Sequence, residues 1–278
     1  MRSTKVEKRT YPAHGGAKRV LTAALLFLSC LLILSGLLGD RNSGIIVETK
    51  VTPTPTLIAG SFDETPTARE LTITSRSWFT IQLGAYENED SAKIQAATYA
   101  QRGAAGFVRH DSRYRVLAAL YPTREDAQTV RQQLKSQHDI DSYVYEIVLP
   151  EIVLSLKGAA GQLDALEAGF QFLPTVLEEF CDLSVSMDGR EMDMEQVLTS
   201  LAGLSKQADT LFQVINQRFP EPRLAVIKDL LSILTQVTAS SKLTAEKSTV
   251  GSVAMATQMK YETLLILTQV ETYLNGLS

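Results

Sequence analysis

Trp78-Phe79-Thr80-Ile81-Gln82-Leu83-Gly84-Ala85-Tyr86 decides how the middle of this chain folds. Successive side chains of a strand point to opposite faces, so Phe79, Ile81 and Leu83 form one side and Trp78, Thr80, Gln82 and Gly84 the other. Working outward, the stretch repeats. A shift of 35 residues lays Gly84-Ala85-Tyr86 on Ala119-Leu120-Tyr121, Ala92 on Ala127 and Tyr99 on Leu134. Each copy reads as a strand, a turn and a helix, and a further strand follows each helix. The first helix runs from about Glu89 to Arg102, with Asn88 as its N-cap and Gly103 closing it. A strand over about Gly106–His110 and another over Tyr114–Leu120 follow. The second helix opens at Thr123, paired with Asp126 in the manner of a capping box, and spaces Ala127, Val130 and Leu134 for one face. Ser142–Val148 is the last strand. The order βαββαβ predicts an α+β, ferredoxin-like module: a four-stranded antiparallel sheet with both helices on one face and the other face open.

The open face is where an extended polymer can lie. Gln82 offers two donors and an acceptor, and Arg115 a five-donor fork. Gly84 permits close backbone approach. The same repeat shift puts Arg113, Arg115, Leu117 and Ala119 on this face beside Gln82. Amides and guanidinia of this kind bond the hydroxyls and N-acetyl oxygens of glycans.

Four motifs in order resemble one known family. They are Phe79 to Tyr86, Asn88-Glu89-Asp90-Ser91-Ala92, Tyr114-Arg115-Val116 and Thr123-Arg124-Glu125-Asp126-Ala127. Together they resemble the SPOR (sporulation-related repeat) domain, over about a quarter of the chain. The resemblance implies a peptidoglycan-binding module that prefers glycan strands stripped of their stem peptides, as at division septa. By match to the family's motifs, Gln82, Ala85 and Arg115 fall on glycan-contacting positions, and Arg113 stands where the family often has an aromatic. The glycine-proline-aromatic turn usual after the third strand is Ala119-Leu120-Tyr121 here. The same topology serves RNA readers, but the aromatic signature on the central strands is missing.

Val20 to Gly39 is 20 residues without a charge, nine of them Leu. As a helix it spans about 30 Å, the hydrocarbon thickness of a bilayer. Its length exceeds that of a signal peptide's apolar region, and it predicts an uncleaved transmembrane helix. Residues 1–19 carry six Lys/Arg against Glu7 and form a cytoplasmic basic tail, so the bulk of the chain is expected outside the membrane. Family members are commonly anchored in this way. Residues 40–76, with Pro53, Pro55, Pro66 and many Thr, sustain neither period and read as a linker with room for one or two short strands.

Residues 150–278 read as all-helical. Ile152, Leu156, Ala159, Leu163, Leu166, Phe170, Leu173, Leu177 and Phe180 recur at spacings of four and three, with Pro174 expected to kink or split the helix near Phe172. Ser186 to Gly189 reads as a turn. Further stripes run from Met194 to Ile215, from Leu224 to Leu234 and from Leu264 to Leu277. Four amphipathic helices with short connections predict an up-down bundle, with intermolecular coiled coil as the alternative.

Composition narrows the function. The chain's net charge is −4, and beyond the apolar run 21 basic side chains face 30 acidic ones, which disfavours nucleic acid as a partner. Two cysteines, Cys30 and Cys181, make no disulfide scaffold, and His14, His110 and His138 stand singly. No metal and no cofactor is expected. Residues 150–278 contain no histidine, and Glu178, Glu179 and Glu195 read as parts of a solvated acidic face. The expectation is a non-enzymatic, single-pass cell-envelope protein that binds peptidoglycan in division or sporulation. Its helical part would engage an envelope protein or itself. The alternative is a cell-wall hydrolase of the lytic transglycosylase kind, targeted by the same module.

Overall fold

The computed structural model describes residues 46–49, 66–189, 192–221 and 223–278. The basic tail, the apolar run 20–39 with its expected membrane span, and most of the 40–76 segment lie outside the described residues. Among the described residues no helix is long and apolar enough to cross a membrane. The elements are β1 Ile46–Thr49, β2 Thr67–Ile73, β3 Arg76–Tyr86, α1 Glu89–Ala100, β4 Phe107–His110, β5 Tyr114–Tyr121, α2 Arg124–His138, β6 Tyr143–Leu149 and β7 Ile152–Gly158. Four long helices follow: α3 Ala160–Gly189, α4 Met194–Arg218, α5 Ala225–Glu246 and α6 Ser252–Asn275.

β3 to β6, with α1 and α2, form the expected module. The strand order is β4-β5-β3-β6 and every neighbouring pair is antiparallel. The helix starts follow their caps. Asn88 accepts from the Ser91 N–H at 2.8 Å, and Thr123 accepts from the Asp126 N–H at 3.1 Å. Between helices and sheet, Ile81, Leu83, Ala92, Ala96, Val116 and Ala127 make the core. Gly106 must be glycine: its φ is +61°, and a Cβ there would sit 2.5 Å from the Ala96 carbonyl oxygen.

Strict alternation along β3 fails at its far end. The β3–β5 register slips between Thr80 and Gln82 and again between Gln82 and Gly84. One slip sets Ala118 and Ala119 against Ile81, and the other inserts Leu83. Gly84 consequently pairs with Val116 of the helix-side core, while Ala85 pairs with Arg115. A Cβ on Gly84 would meet the Tyr86 hydroxyl at 2.6 Å, so the glycine accommodates Tyr86 and not a ligand. This corrects the assignment of Gly84 and Ala119 to the open face.

Two segments differ from their expected class. Residues 67–73, within the expected linker, form β2, and residues 152–158, expected to open a helix, form β7. β2 and β7 pair in full register from Thr67↔Gly158 to Ile73↔Ile152, and β1 lies on the other side of β7. The reason is arithmetic: Ile152 and Leu156 are four apart, a spacing that suits a helix and, as a multiple of two, a strand. Leu154 decides it, for Ile152, Leu154 and Leu156 are buried and Val153, Ser155 and Lys157 exposed. The β3–β6 ladder passes across a short break into the β2–β7 ladder, and Ser75 Oγ donates to the Leu149 carbonyl at 3.0 Å there. The second sheet packs on α3, where Arg69 meets Asp164 at 2.8 Å and Glu167 at 2.7 Å.

α3 to α6 form a closed ring of four helices, each packed on the next and α6 on α3. α3 continues unbroken through Pro174 and through the expected turn to Gly189. Asp193 and Gln196 build a reciprocal capping box for α4. α6 departs from the single-stripe reading. Beyond Leu264, Leu267, Val270 and Leu274 it also buries Lys260, Thr263, Ile266 and Tyr273. A helix buried this far round its axis has partners on two sides, and its second partner is the sheet of the βαββαβ module.

Candidate functional site

The sheet face opposite α1 and α2 was expected to be open, and the structure corrects this. Over much of its length it is covered by α6, which packs on β4, β5 and β6. Phe107 meets Tyr261 of α6 edge-to-face at 5.3 Å, and the Arg109 guanidinium grips the Glu271 carboxylate with two bonds of 2.6 and 2.9 Å. Trp78 and Thr80 have no exposed surface, and Leu117, Leu120 and Ile147 are buried with them. What remains accessible is a polar rim at the other end of the same face.

Four elements build that rim. β3 brings Gln82 and Ala85, β5 brings Arg115, the β4–β5 turn brings Asp111 and Arg113, and β6 brings Tyr143 and Tyr145. Register places them together, because Gln82 pairs with Tyr143 and Leu117, Thr80 with Tyr145, and Ala85 with Arg115. The Arg115 guanidinium donates to Gln82 Oε1 and to Asp111 Oδ2, both at 2.7 Å, and lies 4.8 Å over the Tyr145 ring. Asp111 also accepts from the Tyr145 hydroxyl and the Arg113 N–H, each at 2.9 Å.

Burial raises the Asp111 carboxyl. The bonds from Arg115, the Arg113 amide and Tyr145 outweigh that and hold it well below the usual carboxylate range. Asp111 is therefore an anion whose task is to fix Arg115. Burial and the bond to Asp111 together push the Tyr145 hydroxyl up, so it remains a neutral donor. Gln82 is largely buried, with 9% of its surface exposed, and its Oε1 is engaged by Arg115. Tyr143, two-thirds exposed beside it, supplies a flat apolar surface. The rim can bind hydroxyls, acetamido oxygens and sugar faces.

Of the residues expected from sequence, Gln82, Ala85 and Arg115 are brought together and Arg113 stands exposed next to them. Gly84 is turned to the other side. Sequence reasoning missed Asp111, Tyr143 and Tyr145. The two tyrosines did carry a signal, being alternate residues of the last strand, hence on one face. Asp111 carried none, since its role depends on a turn folding back to Arg115. Of the three carboxylates weighed for a hydrolase, Glu178 is paired with Arg76, Glu195 is exposed in the first turn of α4, and burial, with Asp182 and Glu178 near, raises Glu179. None of the three lines the 570 Å3 groove between α4 and α5 or the 660 Å3 cavity bordered by Leu83, Tyr99, Tyr121, Met187 and Lys260.

Residues 75–146 match the SPOR domain family, almost the span that the motifs marked. The chain is thus a SPOR-domain-containing protein, and such domains are peptidoglycan-binding modules of division proteins, not catalytic ones. No curated protein and no solved structure matches the chain.

Proposed function

We propose that this protein is a non-catalytic, membrane-anchored binder of peptidoglycan that uses the rim Gln82, Ala85, Arg113 and Arg115, with Tyr143 and Tyr145, to hold glycan strands stripped of stem peptides. The observation that carries the reading is the Gln82–Arg115–Asp111–Tyr145 network, which sits inside the family-matched segment and fixes an amide, a guanidinium and one phenol ring on one face. The uncharged run 20–39 between the basic tail and Asp40 supports the anchor and, by the charge asymmetry, a module outside the membrane. The process served is division or sporulation, where stripped strands arise. The helical half supplies the surface for an envelope partner.

Co-sedimentation tests this. The detergent-solubilised chain is expected to pellet with isolated sacculi, and more strongly after amidase treatment. Equal pelleting with intact and stripped material would reduce the interaction to nonspecific adhesion.

A further inference from the structure

The rim and the covered part of the sheet are one continuous face. Arg109 of β4 pairs across the ladder with Arg115 of β5, so two guanidinia stand side by side on it. Arg115 faces the rim, and Arg109 is occupied by Glu271. The rest of the covered surface is poorly suited to a helix. Trp78 Nε1 and Thr80 Oγ1 are completely buried on it without a hydrogen-bond partner, and so is Nε of Arg109. A strand face meant only for a helix carries apolar side chains, and buried donors are normally satisfied. These are left orphaned in the docked arrangement, whereas water or sugar hydroxyls would satisfy them. The clasp is itself a compromise, because Arg109 and Glu271 are both more than four-fifths buried, and burying two charges costs much of what their attraction returns.

We propose that α6 is a displaceable cover: the glycan-binding face continues beneath it through Arg109, Thr80 and Trp78, and Glu271 occupies Arg109 until a glycan strand takes its place. The inference rests on the peptidoglycan reading of the rim. It also names the ligand group. Removal of a stem peptide by an amidase breaks the amide to the lactyl group of each muramic acid and leaves a carboxylate. Glu271 is a carboxylate held bidentately at Arg109, so the helix presents to the sheet the group that a stripped strand would bring. Docking of α6 and full engagement of the strand are then mutually exclusive. Neutralising Glu271 leaves the buried guanidinium uncompensated and favours the open face.

Trp78 is the chain's single tryptophan and lies completely buried on this face, so its quenching reads whether the face opens. The test compares the full chain with Glu271→Gln and, independently, Tyr261→Ser, with circular dichroism to verify that each remains folded. Acrylamide quenching of Trp78 is expected to rise in both variants. Binding to amidase-stripped peptidoglycan is expected to tighten by about fivefold as the competent fraction grows. Adding Arg109→Ala to Glu271→Gln should abolish that gain. Quenching that rises without tighter binding would overturn the proposal, since the uncovered surface would not belong to the site. Unchanged quenching and binding in both folded variants would overturn the clasp. If Trp78 becomes quenchable and neither wild type nor variant binds stripped peptidoglycan, the reading of the rim has failed and the cover's role falls with it. Should Glu271→Gln not fold, Tyr261→Ser decides alone.

Discussion

Arg115 organises the rim, and the effects of changing it depend on what is left behind. Arg115→Ala strips the buried Gln82 of its donor and Asp111 of one of its donors, which costs about 1–3 kcal/mol. Gln82→Ala with Arg115→Ala removes both members of one bond, so the double change should cost less than the sum of the single ones, as urea denaturation would show. Glycan binding should be lost in all three. Asp111 adds a pH signature. Its folded carboxyl titrates below its unfolded value near 4, so its stabilisation is complete above about pH 4 and declines as pH falls through the lowered folded value. The stability gap between wild type and Asp111→Asn should therefore hold from pH 7 to about 5 and narrow below about 4. A gap that widens on acidification would mean the carboxyl is not held as an anion. The chemistry of Gln82 and Arg115 was legible because strand alternation and motif agreed on both. Gly84 was misassigned because the register slips along β3 turn it to the helix side, and no pattern of apolar residues marks a slip.

The same limit acts on whole elements. α1, α2 and the module's four strands were legible because caps, glycine stops and periodicity agreed. β7 was not, because its flanking apolar residues satisfy both periods, and its partner β2 lies in a segment whose prolines and threonines conceal a seven-residue strand. Leu154 separates the two readings. On a helical stripe through Ile152, Leu156 and Ala159 it would lie off the apolar seam, but in β7 it is completely buried. Leu154→Ala should cost about 2–5 kcal/mol, against less than about 1 kcal/mol for Val153→Ala on the outer face. Equal losses at the two positions, measured by thermal or urea unfolding, would contradict the strand. Gly106→Ala is a further test at this scale. A left-handed φ and a backbone oxygen against the new methyl should destabilise the α1–β4 connection by about 2 kcal/mol or more.

At the scale of the molecule, the βαββαβ module and the helical half are not separate beads. They share the β2–β7 and β3–β6 ladder and the two-sided helix α6. Sequence patterning described four stripes and therefore four helices, but a stripe does not say that the opposite side of α6 is buried as well. That side carries Tyr261 and the charged Glu271, which meet Phe107 and Arg109 of the sheet. The proposed ligand of this protein is a peptidoglycan strand received on the sheet face opposite α1 and α2. Hydrogen-exchange mass spectrometry of the full chain with soluble, amidase-stripped glycan tests it most directly. Protection is predicted in backbone spanning Thr80–Tyr86, Asp111–Leu117 and Tyr143–Ile147. Protection confined to α4 and α5, or to the β1-β7-β2 sheet, would contradict it.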